Sequence, residues 1–119
     1  MSRVLLAGKD WQARALLRAQ LIEEGEDVEA HETVSDALAS LESRDLLPGL
    51  LVADLFGSDD PAKDVDELAK WSSVISVWII ANHSMIVENS LKGRGFEMVL
   101  FRPVNVGELV GQIKRRVER

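Results

Sequence analysis

The apolar residues of this chain fall into short unbroken runs separated by longer stretches of helical periodicity, and that alternation constrains the fold more than any other feature. Val4-Leu5-Leu6-Ala7 and Leu50-Leu51-Val52-Ala53 are runs of four without a polar residue. Runs of that kind suit parallel strands buried on both faces. Val28 to His31, Val74 to Ala81 and Met98 to Phe101 read as the remaining strands.

Between them the apolar spacing changes to three and four. Asp10 is placed to cap a helix carrying Ala13, Leu16, Leu17 and Leu21 and ending near Gly25. Thr33 with Asp36 forms a capping pattern ahead of Val34, Ala37, Leu38 and Leu41, and Pro48-Gly49 breaks the chain after it. Asp60-Pro61 opens a third helix with Val65, Leu68 and Ala69 inside. A weaker helix spans Met85 to Lys92, closed by Gly93 and Gly95, and Asn105 with Glu108 caps a last helix bearing Val106, Leu109, Val110, Ile113 and Val117.

Five strand-helix pairs with short connections require crossovers, so the expected fold is α/β: a doubly wound five-stranded parallel sheet with helices on both faces. With 119 residues, one domain is expected, because two cores would each be too small. The functional crevice of such a sheet lies beyond the carboxyl ends of its strands. Gly8, Lys9, Asp54, Ala81 and Arg102 fall there.

Composition narrows the chemistry. A net charge of -6 disfavours direct binding to nucleic acid or anionic membrane, leaving only a local basic stretch at Lys114-Arg115-Arg116. No cysteine is present, which excludes thiolate metal sites and cysteine nucleophiles. His31 and His83 have no ligand-spaced partner, so no metal role is expected for either. Trp11, Trp71 and Trp78 read as core or boundary aromatics. No signal segment or membrane span is apparent, and a cytoplasmic location is expected.

The layout over nearly the whole chain resembles the receiver domain of bacterial response regulators, with Arg3 to Ala7 opening and Phe101-Arg102-Pro103 near the close. The resemblance implies the flavodoxin-like strand order 2-1-3-4-5 and a place in two-component phosphorelay signalling. In Leu51-Val52-Ala53-Asp54-Leu55 it puts Asp54 at the phospho-acceptor position. The rest of the family's pocket departs from the pattern. Its acidic pair falls on Gly8 and Lys9, its hydroxyl on Ala81, its lysine on Arg102 and its aromatic switch on Val99. Asp10 could lend a carboxylate, although helix capping is the simpler role. The resemblance also implies a cis peptide before Pro103.

An ordinary receiver balances three carboxylates with a divalent cation and a lysine. Here Asp54 faces Lys9 and Arg102, which leaves a positive surplus before any metal arrives. Lys9 is therefore expected either to pair with Asp54 in place of magnesium or, as loop lysines at sheet edges often do, to point to solvent; magnesium binding is expected to be weak or absent, with no other cofactor. The expected function is an atypical receiver, not an enzyme, which acts without phosphorylation or metal as a protein-interaction module. Its partner would be a histidine kinase, an effector domain or a second copy. The face would be the one formed by the helix over Met85 to Lys92, strand five and the last helix. The alternative is a conventional or weak phospho-acceptor using Asp54. A small flavodoxin-like carrier is more remote, because Ala7-Gly8-Lys9-Asp10 offers no phosphate cradle.

Overall fold

The computed structural model describes residues 3–83 and 90–118. Five strands, β1 (Val4–Ala7), β2 (Val28–His31), β3 (Leu50–Asp54), β4 (Ser76–Ala81) and β5 (Met98–Phe101), form one parallel sheet in the order β2-β1-β3-β4-β5. The helices are α1 (Trp11–Glu23), α2 (Val34–Glu42), α3 (Pro61–Trp71) and, as the last, α4 (Val106–Val117). The expected helix over Met85 to Lys92, part of the expected partner face, lies mostly outside the described residues. Its apolar residues Met85, Ile86, Val87 and Leu91 suit either a partner surface or a loosely packed core helix, and of these Leu91 is buried in the core.

The strand period of two divides the core between the faces of the sheet. Leu5, Ala7, Leu51, Ala53, Val77 and Ile79 point toward α2 and α3, where Val34, Ala37, Leu38, Leu41, Val65 and Leu68 meet them. Val4, Leu6, Leu50, Val52, Trp78 and Ile80 point the other way, against Leu17 and Leu21 of α1 and Leu109, Val110, Ile113 and Val117 of α4. This burial on both sides is the reason the central strands carry no polar alternation.

The caps hold where side-chain chemistry placed them. Asp10 accepts the Ala13 amide at 3.2 Å, Thr33 that of Asp36 at 3.0 Å, Asp60 that of Lys63 at 3.1 Å and Asn105 that of Glu108 at 2.9 Å. Each satisfies, in place of water, an otherwise unpaired helical N–H. Two expectations need correcting. Strand β4 begins at Ser76, because Val74 belongs to the turn after α3, where its amide bonds to the Trp71 carbonyl and its side chain is 57% exposed. Trp11 is 64% exposed at the first turn of α1, on the side of the helix away from Leu17 and Leu21, so it is a surface residue.

Candidate functional site

The strand registers bring the carboxyl ends together. Ala7 pairs with Ala53, Ala53 with Ile79 and Ile79 with Val99, so Gly8, Asp54, Ala81 and Arg102 come to one edge. The same period of two puts Asp54 on the face of Val52 and Arg102 on the face of Leu100, the side covered by α1 and α4. The backbone of β5 is tied across at its end, where the Arg102 amide donates to the Ala81 carbonyl at 2.8 Å. The Arg102–Pro103 peptide is cis, as the resemblance implied.

Arg102 is the centre of the cluster. Its Nε lies 3.3 Å from Asp54 Oδ1 and its Nη2 donates to Asp54 Oδ2 and, at 3.3 Å, to Asp10 Oδ2. Asp54 Oδ1 also accepts the Phe56 amide at 3.1 Å. The Phe56 ring lies under the guanidinium, 4.4 Å from its carbon, so a planar cation is held between an aromatic face and two carboxylates. The Asp54 hydrogen bond, above all, pushes the Arg102 pKa still higher. Asp10 is held below its ordinary value, first by the Ala13 amide and also by Arg102.

Lys9 does not pair with Asp54. Its ammonium is 2.7 Å from Asp59, in the loop after β3. The physical reason lies in that loop: Gly57, at φ +80°, turns it back beside Lys9, while Arg102 already fills the approach to Asp54. The expected positive surplus is thereby lost. Lys9 is neutralised by Asp59, and Asp54 and Asp10 together outnumber Arg102 by one charge.

Gly8 is there for space. A Cβ on it would come within 3.1 Å of Asp54 Cβ. Ala81 is buried and supplies only its carbonyl, so no hydroxyl faces Asp54 from β4. Val99 is half-buried and packs against the α2–α3 side of the core. The aromatic of β5 is instead Phe101, stacked on His83 with ring centres 4.3 Å apart.

Sequence reasoning placed Asp54, Arg102, Gly8 and Asp10 at one edge and missed three participants. Phe56 carries no signal, because its contact depends on the turn that follows β3. Asp59 was one of several loop acids. Arg14, which donates to the Gly8 carbonyl, reads in the sequence only as a polar position of α1. At the opposite edge of the sheet, two residues of the basic stretch are spent on carboxylates, Lys114 on Glu24 at 3.0 Å and Arg116 on Glu97 at 2.8 Å.

No known family model matches the chain, and no curated protein sequence matches it. Solved structures do. A CheY-like response regulator receiver domain protein from Methanospirillum hungatei superposes with a TM-score of 0.82 at 20% identity, over 99% of this chain and 94% of that one. The signal receiver domain of a putative LuxO repressor protein from Vibrio parahaemolyticus gives 0.77 at 25% identity, over 99% and 91%. The receiver domain of NtrX from Brucella abortus gives 0.75 at 25% identity, over 97% and 98%. The architecture is thus the flavodoxin-like doubly wound class. Within that class the chain has the receiver-domain fold of response regulators.

Proposed function

We propose that this chain is a receiver-type signalling domain that acts through protein contacts, without phosphoryl transfer and without magnesium. The observation that carries the reading is the two-point hold of Arg102 on Asp54, shared with Asp10. A phospho-acceptor must present a carboxylate oxygen to an incoming phosphorus atom. Here both Asp54 oxygens are hydrogen-bonded and its side chain is only 17% exposed.

The donor set argues against a divalent ion. Such an ion needs several oxygens in one hemisphere. The two carboxylates here share an arginine, and an acid in place of Gly8 would crowd Asp54. No step of chemistry is assigned to a metal, and none of the pocket residues is assigned a catalytic role.

The fold ties this reading to two-component signalling, with a histidine kinase or an effector domain as the partner class. Strand β5 and helix α4 offer the surface, since β5 is an edge strand with all four residues half-buried. No helix of the described residues is long and apolar enough to cross a membrane, which fits a partner met in solution.

Intact mass and tryptophan fluorescence of the purified chain, with magnesium and then with acetyl phosphate or beryllofluoride, test the reading. No adduct and no saturable quenching are expected. A phosphoryl adduct on Asp54 would overturn it in favour of a working acceptor.

A further inference from the structure

Beneath the Arg102–Asp54 pair, on the α1–α4 side of the sheet, lies a cavity of about 230 Å³. Its walls are mostly apolar: Leu6, Val52 and Ile80 from the strands, Leu17 from α1 and Val106 and Leu109 from α4. Its rim carries Arg102, Asp10, Asp54 and Arg14. We propose that this cavity binds a small amphipathic monocarboxylate, with its apolar body between α1 and α4 and its carboxylate on Arg14.

The size is right for such a ligand. An apolar cavity of roughly 150 Å³ accepts benzene, so this one has room for a ring with a short side chain. The charge pattern selects the head group. Both rim carboxylates are hydrogen-bonded to Arg102, and with Arg14 the four rim charges sum to zero, so a cation meets no surplus of negative charge there. Arg14 makes one hydrogen bond, from Nη1 to the Gly8 carbonyl, and among the described residues it has no carboxylate within ion-pair distance. A guanidinium has five N–H donors, so Nε and Nη2 remain able to grip a carboxylate in the fork geometry. A dianion such as phosphate is disfavoured, because Asp10 and Asp54 stand beside Arg14, which among the described residues is the rim cation without a carboxylate partner. This inference is independent of the proposal above, since a carboxylate can bind whether or not Asp54 accepts a phosphoryl group.

The test is a titration of the full ¹⁵N-labelled chain with 3-phenylpropionate, and with 3-phenylpropanol as its uncharged match, followed by amide chemical shifts. Saturable shifts are expected at Gly8, Ala13, Leu17 and Leu109, with a dissociation constant in the millimolar range or tighter. The alcohol should bind about tenfold more weakly, and Arg14→Gln should lose about the same factor for the acid while keeping the rest of the spectrum. Ala13→Leu, which fills the cavity from α1, should abolish the shifts. The proposal is overturned by shifts that do not saturate below about 10 mM or that scatter over the surface. It is equally overturned if the alcohol or Arg14→Gln matches the acid on the native chain. Intact mass after acetyl phosphate treatment of the same sample reads Asp54 separately, so the two readings fail independently.

Discussion

Arg102 and Asp54 lie 48 positions apart in the chain and meet as a forked pair at the end of the sheet, with Nε 3.3 Å from Oδ1 and Nη2 on Oδ2. Both side chains are at least three-quarters buried, so removing one strands the other. Arg102→Ala would leave two carboxylates without their shared cation and should destabilise the fold by about 2–4 kcal/mol. Arg102→Lys keeps the charge but cannot hold Asp54 and Asp10 together, and should recover only part of the loss. A double-mutant cycle with Asp54→Ala, measured by urea unfolding, should give a coupling of about 1–3 kcal/mol. Additive effects would mean the pair is incidental.

Lys9 provides the contrast. Its partner Asp59 is 89% exposed, and exposed ion pairs contribute little. Lys9→Ala should leave the thermal midpoint essentially unchanged. A large drop would show that Lys9 supports Asp54 after all.

How much of this could be read beforehand depended on the range of the interactions. The caps at Thr33 and Asn105 and the stripe Val34, Ala37, Leu38, Leu41 were legible because each is settled within one or two helical turns. Asp54 and Arg102 could be brought to one edge because parallel strands align their carboxyl ends. Which cation would reach Asp54 was not legible. That choice depends on the path of the loop after β3, where Gly57 swings Asp59 to Lys9 and Phe56 under Arg102. For Asp10 the sequence offers capping and a pocket carboxylate as alternatives, and the fold shows both at once, one oxygen on the Ala13 amide and the other on Arg102.

Gly8→Ala tests whether the missing acid at this position is a matter of space. The added Cβ would lie 3.1 Å from that of Asp54, and β1 and β3 are hydrogen-bonded neighbours that cannot part freely. Calorimetry should show a loss of about 1–2 kcal/mol. A neutral or stabilising result would show that Asp54 has slack.

Acid should weaken the fold through three carboxylates held below their ordinary values. For Asp10 the chief cause is the Ala13 amide, for Glu29 its hydrogen bond with His31, and for Glu97 its hydrogen bond with Arg116. A depressed carboxylate contributes stability that is complete above its unfolded pKa and is lost as pH falls through its folded one. With ordinary values of 3.8 for Asp10 and 4.5 for the glutamates, their contribution should be constant from neutrality to about pH 5 and decline below about pH 4.5. Urea midpoints between pH 3 and 7 would show it. A midpoint that rises on acidification would contradict these assignments.

Glu97 should matter more than its half-exposed position suggests. Trp78, 2% exposed in β4, donates its indole N–H to Glu97 Oε2 at 2.7 Å, and Arg116 of α4 holds the same carboxylate at 2.8 Å. Glu97→Ala removes the acceptor of a buried donor and should cost about 1–3 kcal/mol. Arg116→Ala leaves that bond in place and loses a partly exposed ion pair together with its hydrogen bond to the Ser76 hydroxyl, so its cost should stay at about 1 kcal/mol. Trp78 reports the difference directly. Its emission should shift in Glu97→Ala, where water or nothing replaces the carboxylate, and remain near that of the parent chain in Arg116→Ala. If the two variants lose equal stability, the contacts of Arg116 with Glu97 and Ser76, rather than the indole bond, are what tie β4 to α4.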